Sequence, residues 1–165
     1  MNLWENGGGY TSTHQDWRTP QDFFNRLNKE FSFTLDAAAT EESAKCEKFF
    51  TAQNCGLSQS WEGETVFLNP PYSDVGTWMK KAAEEGTSAT VAALVFARTD
   101  TRWFHDHVLP TAAEIRFIKG RLSFFREGKR GAAPAPSMLV IFRPRKIATR
   151  VRVTTMTGRT GRFRS

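Results

Sequence analysis

The chain has 165 residues, the length of one domain, and should bury enough surface for a stable core without disulfides or metal ions. Hydrophobic residues make up 39% and charged residues 24%, which excludes the disordered and fibrous classes of protein. The longest apolar run, residues 89–97, is too short to span a membrane, and the first residues lack the pattern of a secretory signal. We therefore expect a cytosolic protein in which Cys46 and Cys55 are reduced thiols and no metal is bound.

The basic residues are concentrated towards the C-terminus. The net charge is +6, yet the last acidic residue is Glu127, and the chain up to that point carries a net charge of −4. A basic C-terminal segment on a neutral-to-acidic chain is typical of proteins that bind nucleic acid. The alternative is a solvated tail that aids solubility. We expect a loose lead-in at residues 1–16, a domain at 17–144 and a basic tail at 145–165. Residues 145–164 of that tail are expected to be a disordered arm that orders on DNA.

Predicted helices and strands alternate along most of the chain. Pro20 suits the first position of a helix, with Thr19 as its N-cap. Hydrophobic periodicity predicts these elements in chain order: a helix at Gln21–Phe31, a strand at Phe31–Leu35, a helical segment within Ala37–Phe50, a strand at Thr65–Leu68, a helix at Val75–Gly86, a strand at Thr90–Phe96, a helix at Thr101–Leu109, and strands at Ile115–Ile118 and Ser137–Arg143 with a loop or hairpin at Arg121–Pro136 between them.

This alternation predicts an α/β fold with a mostly parallel sheet covered by helices on both faces. In such sheets, ligands bind at the carboxyl ends of the strands. Asp36, Asn69 and Arg98 each follow a predicted strand directly, so we expect the three side chains in one crevice. Asp36 could instead cap the helix expected after it, and both interpretations stay open.

The segment Asn69-Pro70-Pro71-Tyr72 is the most informative motif in the chain. A turn that ends a strand would explain the prolines but not the asparagine. The carbonyls of Asn69 and Pro70 can accept hydrogen bonds from the exocyclic amine of adenine, whose nitrogen lone pair would then point at an electrophile. Tyr72 offers a flat face for a base that has been flipped out of the duplex. The motif is the signature of amino-group methyltransferases that use S-adenosylmethionine.

A larger part of the chain, about residues 17–144, resembles the phage DNA N-6-adenine-methyltransferase (Dam) family. The resemblance rests on these segments: Thr19-Pro20 with Phe23-Phe24, Leu35-Asp36-Ala37-Ala38-Ala39, Ala44-Lys45-Cys46, Phe50-Thr51, Gly56-Leu57, Trp61, Asn69-Pro70-Pro71-Tyr72-Ser73, Ala97-Arg98-Thr99-Asp100-Thr101, Trp103-Phe104-His105, Arg116-Phe117-Ile118-Lys119-Gly120-Arg121-Leu122 and Pro136-Ser137-Met138.

The resemblance implies a Rossmann-like, S-adenosylmethionine-dependent enzyme that methylates adenine N6 in DNA. It implies a phage or prophage protein in the host cytoplasm. The oligomeric state stays open, with a monomer as the default. The implied site residues fall into three groups: Thr19 and Pro20 at the methionine end of the cofactor, Asp36, Ala37 and Ala38 in a degenerate first cofactor loop, and Asn69, Pro70, Pro71 and Tyr72 in the catalytic loop. The chain departs from the family pattern by lacking glycines after the first strand and by having Cys55 where an Asp is common.

Several polar residues elsewhere are candidates for contacts with DNA. Arg98 and Asp100 follow a strand, where capping of the next helix by Thr99 or Asp100 is the alternative. The other candidates surround the loop after the next strand, where a solvated loop is the alternative: Lys119, Arg121, Arg126, Lys129 and Arg130.

Two further functions remain open at this point. One is methylation of RNA adenine or of a protein glutamine, because the same motif serves those reactions. The other is a non-catalytic module that binds nucleic acid and whose cofactor loop has decayed.

Overall fold

The computed structural model of the chain describes residues 18–126, 129–144 and 150–158. The expected lead-in at residues 1–16 lies outside these ranges, as do parts of the basic tail. None of the helices within the described ranges has the length and apolar character needed to cross a membrane.

The structure contains two regular helices and nine strands within the described ranges. They are α1 (Gln21–Phe31), β1 (Leu35–Asp36), β2 (Lys48–Phe49), β3 (Thr65–Leu68), α2 (Val75–Glu85), β4 (Thr90–Phe96), β5 (Glu114–Lys119), β6 (Ser123–Arg126), β7 (Lys129–Ala132), β8 (Ser137–Phe142) and β9 (Arg152–Thr157). Short helical turns at Gly56–Ser58, Tyr72–Asp74 and Phe104–Val108 connect them.

Seven strands form one sheet in the order β2-β1-β3-β4-β8-β5-β9, and β6 pairs with β7 as a separate hairpin. β8 runs antiparallel to β4 and β5, whereas the other neighbours in the large sheet are parallel. The prediction of an α/β protein with a mostly parallel sheet is thus confirmed. Six strands end at the same side of the sheet, which we name the carboxyl edge, and the opposite side is the amino edge.

Two hydrophobic clusters form the core, and successive strand residues alternate between them because side chains of a strand point to opposite faces. Val66 and Leu68 of β3 belong to the cluster that includes α2, whereas Phe67 belongs to the cluster that includes α1. Each helix buries an apolar stripe in its own cluster: Phe23, Phe24, Leu27 and Phe31 from α1, and Trp78, Met79 and Ala82 from α2.

The helix expected within Ala37–Phe50 was wrong, because these residues form a loop that ends in the short strand β2. The buried Asp36 carboxylate accepts hydrogen bonds from the backbone N–H groups of Ala38, at 3.4 Å, and Lys45, at 3.0 Å. These amides therefore bond to a side chain rather than to helical carbonyls. Asp36 caps no helix, which removes that interpretation of it.

Three smaller differences concern the boundaries of elements. Thr19 does not cap α1: Pro20 occupies the N-cap position, without a side-chain hydrogen bond. The strand expected from Phe31 begins only at Leu35, because α1 continues through Phe31 and ends at Ser32, whose φ of 54° is left-handed. A π-helical segment at Phe104–Val108 replaces most of the regular helix expected at Thr101–Leu109.

The expectation of a disordered arm was wrong for residues 152–157, which form the edge strand β9. β9 pairs parallel with β5 over six residues. Thr154 Oγ1 donates to Glu114 Oε1 at 3.0 Å, and the Arg26 guanidinium donates to the Thr157 carbonyl. Part of the basic segment is therefore built into the sheet.

Candidate active site

A cavity of about 720 Å³ lies at the carboxyl edge of the sheet. Its walls come from the segment before α1, from the long loop between β1 and β3, and from the loop after β3. The residues that line it are Arg18, Thr19, Asp36, Ala37, Ala38, Ala39, Thr40, Glu41, Glu42, Ser43, Lys45, Phe50, Thr51, Ala52, Gln53, Cys55, Phe67, Asn69, Pro70, Pro71, Tyr72 and Trp78.

Asn69 follows β3 directly, and two prolines end the strand because they cannot donate to the hydrogen-bond ladder. The Asn69 side-chain Nδ2 donates to Thr19 Oγ1 at 3.2 Å, and Thr19 is buried. This hydrogen bond joins the segment before α1 to the loop after β3 across 50 positions of sequence. It orients the amide, whose buried carbonyl oxygen lies on the other side of the group.

The Tyr72 ring stacks on Phe96, with ring centroids 4.1 Å apart and planes 7° apart. Phe96 is the last residue of β4, the strand beside β3, so the neighbouring strand end supports one face of the ring. Burial raises the pKa of the Tyr72 hydroxyl well above its usual range, and this hydroxyl has no hydrogen-bond partner among the described residues. Tyr72 is therefore a neutral, rigidly supported aromatic wall of the cavity.

Asp36 is the last residue of β1 and is only 3% exposed. Burial raises the pKa of its carboxyl group to about 6, although the backbone N–H groups of Lys45 and Ala38 oppose that shift. A buried carboxylate with its remaining acceptor capacity beside a cavity suits a cationic ligand group, such as an ammonium.

Gly56 allows a close approach between two loops of the cavity wall. A Cβ atom at this position would lie 2.2 Å from the carbonyl oxygen of Ala37. The carbonyl of Gly56 also accepts a hydrogen bond from the buried Trp61 indole, at 3.0 Å. The loop after β1 has alanines where glycines were expected. The glycine that permits close packing is instead Gly56, in the segment that packs against this loop.

The predicted catalytic residues and most of the predicted cofactor residues come together in this cavity, whereas the predicted DNA contacts do not. Pro20 lies beside the lining rather than in it, with its carbonyl accepting from the Phe24 N–H at 3.0 Å. The expectation that Arg98 shares the crevice was wrong. Its N–H donates to the Phe96 carbonyl at 2.8 Å in a tight turn, and its side chain is exposed outside the cavity.

The remaining predicted residues lie further from the cavity. Asp100 is exposed in the turn after β4, without a side-chain cap on the following helical segment. Lys119 and Arg121 are exposed at the carboxyl end of β5, next to the β6–β7 hairpin. The hairpin confirms the loop or hairpin expected at Arg121–Pro136, but the side chains of Arg126, Lys129 and Arg130 lie outside the described part of the structure.

Several residues of the site were not identified from the sequence, among them Arg18, Trp78 and Phe96. Arg18 lines the cavity and directly precedes Thr19, so its position beside the motif was the available signal. Trp78 was expected in the core and is buried there, yet it also lines the cavity. Phe96 supports Tyr72, a contact between strand ends that no local pattern reveals.

Comparisons with known proteins show the family of the chain. The family described as DNA N-6-adenine-methyltransferase (Dam) matches residues 10–161. A protein named DNA N-6-adenine-methyltransferase from Escherichia phage T1 is 36% identical over 110 residues, which cover 65% of this chain and 46% of that protein. A protein of the same name from Haemophilus phage HP1 (strain HP1c1) is 30% identical over 137 residues, 78% of this chain and 79% of that protein. The chain thus spans less than half of the T1 protein and about four-fifths of the HP1 protein, and it belongs to this family.

Proposed function

We propose that this member of the DNA N-6-adenine-methyltransferase family transfers a methyl group from S-adenosylmethionine to N6 of adenine in DNA. The observation that carries the proposal is the Asn69-Pro70-Pro71-Tyr72 loop at the carboxyl edge, opening onto a cavity with the buried Asp36 in another wall. The names of the two phage relatives support DNA adenine as the substrate and the host cell as the place of action.

We also infer a Rossmann-like arrangement, with helices on both faces of the sheet. Six parallel strands with one reversed strand support it, together with the assignment of α1 and α2 to different core clusters. In this arrangement both reactants meet at the carboxyl edge, where sheets of this class bind their ligands.

The target adenine would be held by the catalytic loop. The carbonyl oxygens of Asn69 and Pro70 accept hydrogen bonds from the exocyclic amine, which favours a nitrogen whose lone pair is directed at the methyl donor. The hydrogen bond to Thr19 and the burial of Pro70 hold both acceptors in place. Tyr72, supported by Phe96, gives the base a stacking surface, and the amine proton is released to water after alkylation.

The residues of the cavity fit the proposed cofactor. A volume of about 720 Å³ lies in the range of sites for small organic ligands. Asp36 suits the ammonium group, Trp78 and Phe50 offer apolar walls for a purine, and Ala37 and Ala38 allow close approach of the backbone. S-adenosylmethionine, when bound, supplies a methyl group on a positively charged sulfur. The protein then has to position the amine. Orientation of this kind can lower the activation free energy by about 7–11 kcal/mol.

DNA would approach across the carboxyl edge. The β6–β7 hairpin follows β5 at this edge, and Lys119 and Arg121 are exposed at its base. We propose that these residues, together with Arg126, Lys129 and Arg130, contact phosphates, and that Arg98 and Asp100 contact the DNA beyond β4. The base must leave the duplex, because its amine is inaccessible within the stack.

The test is incubation with S-adenosylmethionine and unmethylated DNA, followed by digestion to nucleosides and mass spectrometry. We expect N6-methyladenine from the wild type, none from Asn69→Ala, and wild-type levels from the control Asn25→Ala, which removes an amide on the exposed face of α1. Product from RNA or from a glutamine peptide, but not from DNA, would overturn the proposal that DNA is the substrate. Full activity of Asn69→Ala would overturn the catalytic role of the loop, and the absence of both product and cofactor binding would favour a non-catalytic module.

A further inference from the structure

We infer that Arg18 and Lys45 form a subsite for the α-carboxylate of an amino acid group bound in the cavity, with Asp36 receiving the ammonium of the same group. The inference rests on the proposed function, since the ligand in question is the methionine end of the cofactor. It assigns a role to Arg18, a residue that none of the motifs of the chain includes.

The placement of the two cations is the first observation. Arg18 and Lys45 are both half-buried and both line the cavity, although 27 positions separate them in sequence. Lys45 Nζ donates to the Gln21 side-chain carbonyl, at 2.9 Å, and Gln21 is the first residue of α1. Both cations therefore lie beside the N-terminal end of an 11-residue helix, where the helix dipole also favours a negative charge.

The electrostatics of the pair is the second observation. Burial lowers the pKa of Lys45, and the Asp36 carboxylate opposes this shift. Arg18 lowers the pKa of Lys45 further, because the two positive charges are close together. A carboxylate bound between them would relieve this repulsion. Glu42 also lies near Arg18, but it is exposed, so that water screens its charge.

The neighbouring negative charge decides which anion fits. The Asp36 carboxylate accepts the Lys45 backbone N–H at 3.0 Å, so positive and negative groups lie next to each other in the same wall. A phosphate carries only negative charge and would leave the Asp36 carboxylate without a cationic partner from the ligand. The wall matches an α-amino acid group, whose ammonium and carboxylate are attached to one carbon atom.

Arg18 is also connected to the reacting end of the site. It directly precedes Thr19, whose hydroxyl accepts the hydrogen bond from the Asn69 amide. A ligand held by Arg18 is therefore held by the same segment that orients the catalytic amide, and we expect Arg18 to position the cofactor rather than to take part in the reaction.

The test is calorimetric titration with two probes that differ in the amino acid group. S-adenosylhomocysteine carries both the ammonium and the carboxylate, and 5′-methylthioadenosine carries neither. We expect Arg18→Gln to weaken binding of S-adenosylhomocysteine about 10- to 100-fold, the cost of one lost charge-assisted hydrogen bond, and to leave binding of 5′-methylthioadenosine unchanged. Lys45→Met should behave in the same direction. The control is Arg102→Gln, which removes an equal charge from a side chain that is 97% exposed.

The outcomes separate this inference from the proposed function. If the wild type binds neither probe, the proposed cofactor is wrong. If the wild type binds both and Arg18→Gln weakens both equally, Arg18 supports the fold of the cavity and the subsite is overturned. Unchanged binding of S-adenosylhomocysteine by both Arg18→Gln and Lys45→Met overturns it as well. Partial recovery in Arg18→Lys, which keeps the charge but loses the planar geometry, supports it.

Discussion

The polar groups at the two edges of the central sheet lie in opposite environments. At the amino edge, Arg116 makes paired hydrogen bonds with Glu30, at 2.7 and 2.6 Å, and donates to Glu114 at 2.9 Å. The hydrogen bonds from Arg116 hold the pKa values of both carboxyl groups below their usual range. At the carboxyl edge, burial raises the pKa of Asp36 to about 6, and the buried Tyr72 hydroxyl has no hydrogen-bond partner among the described residues.

The difference separates stability from function within one sheet. Charges at the amino edge satisfy one another and connect α1, β5 and β9. Groups at the carboxyl edge are buried at a cost that the fold alone does not recover, which is typical of sites where a ligand supplies the missing partners. The substitutions below are chosen to break or sharpen this comparison, and they are ordered by expected effect.

Gly56→Ala should have the largest effect, because its Cβ would lie 2.2 Å from the Ala37 carbonyl oxygen and the two loops cannot both keep their places. We expect a loss of at least about 3 kcal/mol in the free energy of unfolding, measured by urea denaturation, together with loss of cofactor binding. Gly131→Ala is the matched control, since a Cβ there meets no atom of the described part of the chain within 4 Å. A variant at Gly56 as stable as this control would show that the wall of the cavity is not closely packed.

Asp36→Asn should reveal a pH dependence specific to the carboxyl edge. The pKa of Asp36 in the folded protein, about 6, exceeds that of an unfolded Asp, about 3.9, so folding takes up a proton between these values. The stability that Asp36 contributes is present below about pH 4 and is lost as the pH rises through 6. Relative to Asp36→Asn, the wild type should lose about 3 kcal/mol between about pH 4 and pH 8 in urea denaturation series. A constant difference between the two proteins would contradict the raised pKa.

Glu114→Gln should lower stability at the amino edge while the cavity is preserved. Glu114 is 8% exposed and accepts hydrogen bonds from Arg116 and Thr154, so removal of its charge should cost about 2 kcal/mol at neutral pH. Because its pKa is lowered by folding, this contribution should disappear as the pH falls below the usual range of a carboxyl group, the opposite of the behaviour of Asp36. Titration with S-adenosylhomocysteine checks that binding is unchanged; weaker binding would show that the two edges are coupled.

Tyr72→Phe should have the smallest effect on stability and distinguishes a stacking surface from a polar contact. Removal of a buried hydroxyl that has no hydrogen-bond partner among the described residues should leave the free energy of unfolding unchanged or raise it by up to about 1 kcal/mol. If the ring only stacks on the base, the rate of methyl transfer to DNA should also be nearly unchanged. A fall in that rate with unchanged stability would show that the hydroxyl contacts a reactant, whereas a clear loss of stability would contradict its lack of a partner.

The sequence predicted the elements whose stabilising contacts follow from local pattern. α1, β3 and β4 begin and end at the predicted residues, because buried stripes and prolines define them. The loop at residues 37–50 could not be predicted, since it depends on hydrogen bonds to one buried carboxylate. β9 has exposed and polar residues, and its pairing with β5 depends on a contact between segments that are distant along the chain.

The site was predictable to the extent that a single motif encodes it. Asn69 and Tyr72 lie in the cavity because they follow β3, and the residues after a parallel strand lie at the carboxyl edge of the sheet. The same argument failed for Arg98, where a tight turn directs the chain away from the cavity. Phe96 belongs to the site through a contact between neighbouring strand ends, which the order of residues does not show.

The position of β8 has a consequence for the order in which the nascent chain can fold. β8 is the antiparallel strand between β4 and β5, and its first residue, Ser137, lies 41 positions after the last residue of β4, Phe96. At about 5–20 residues per second on the ribosome, one side of β4 stays unpaired for about 2–8 s after that strand has been made. The residues that line the cavity, all between Arg18 and Trp78, are by then complete. The walls of the cavity can therefore assemble on strands β1 to β4 alone, while one side of the apolar strand β4 is exposed to aggregation until β8 is synthesised.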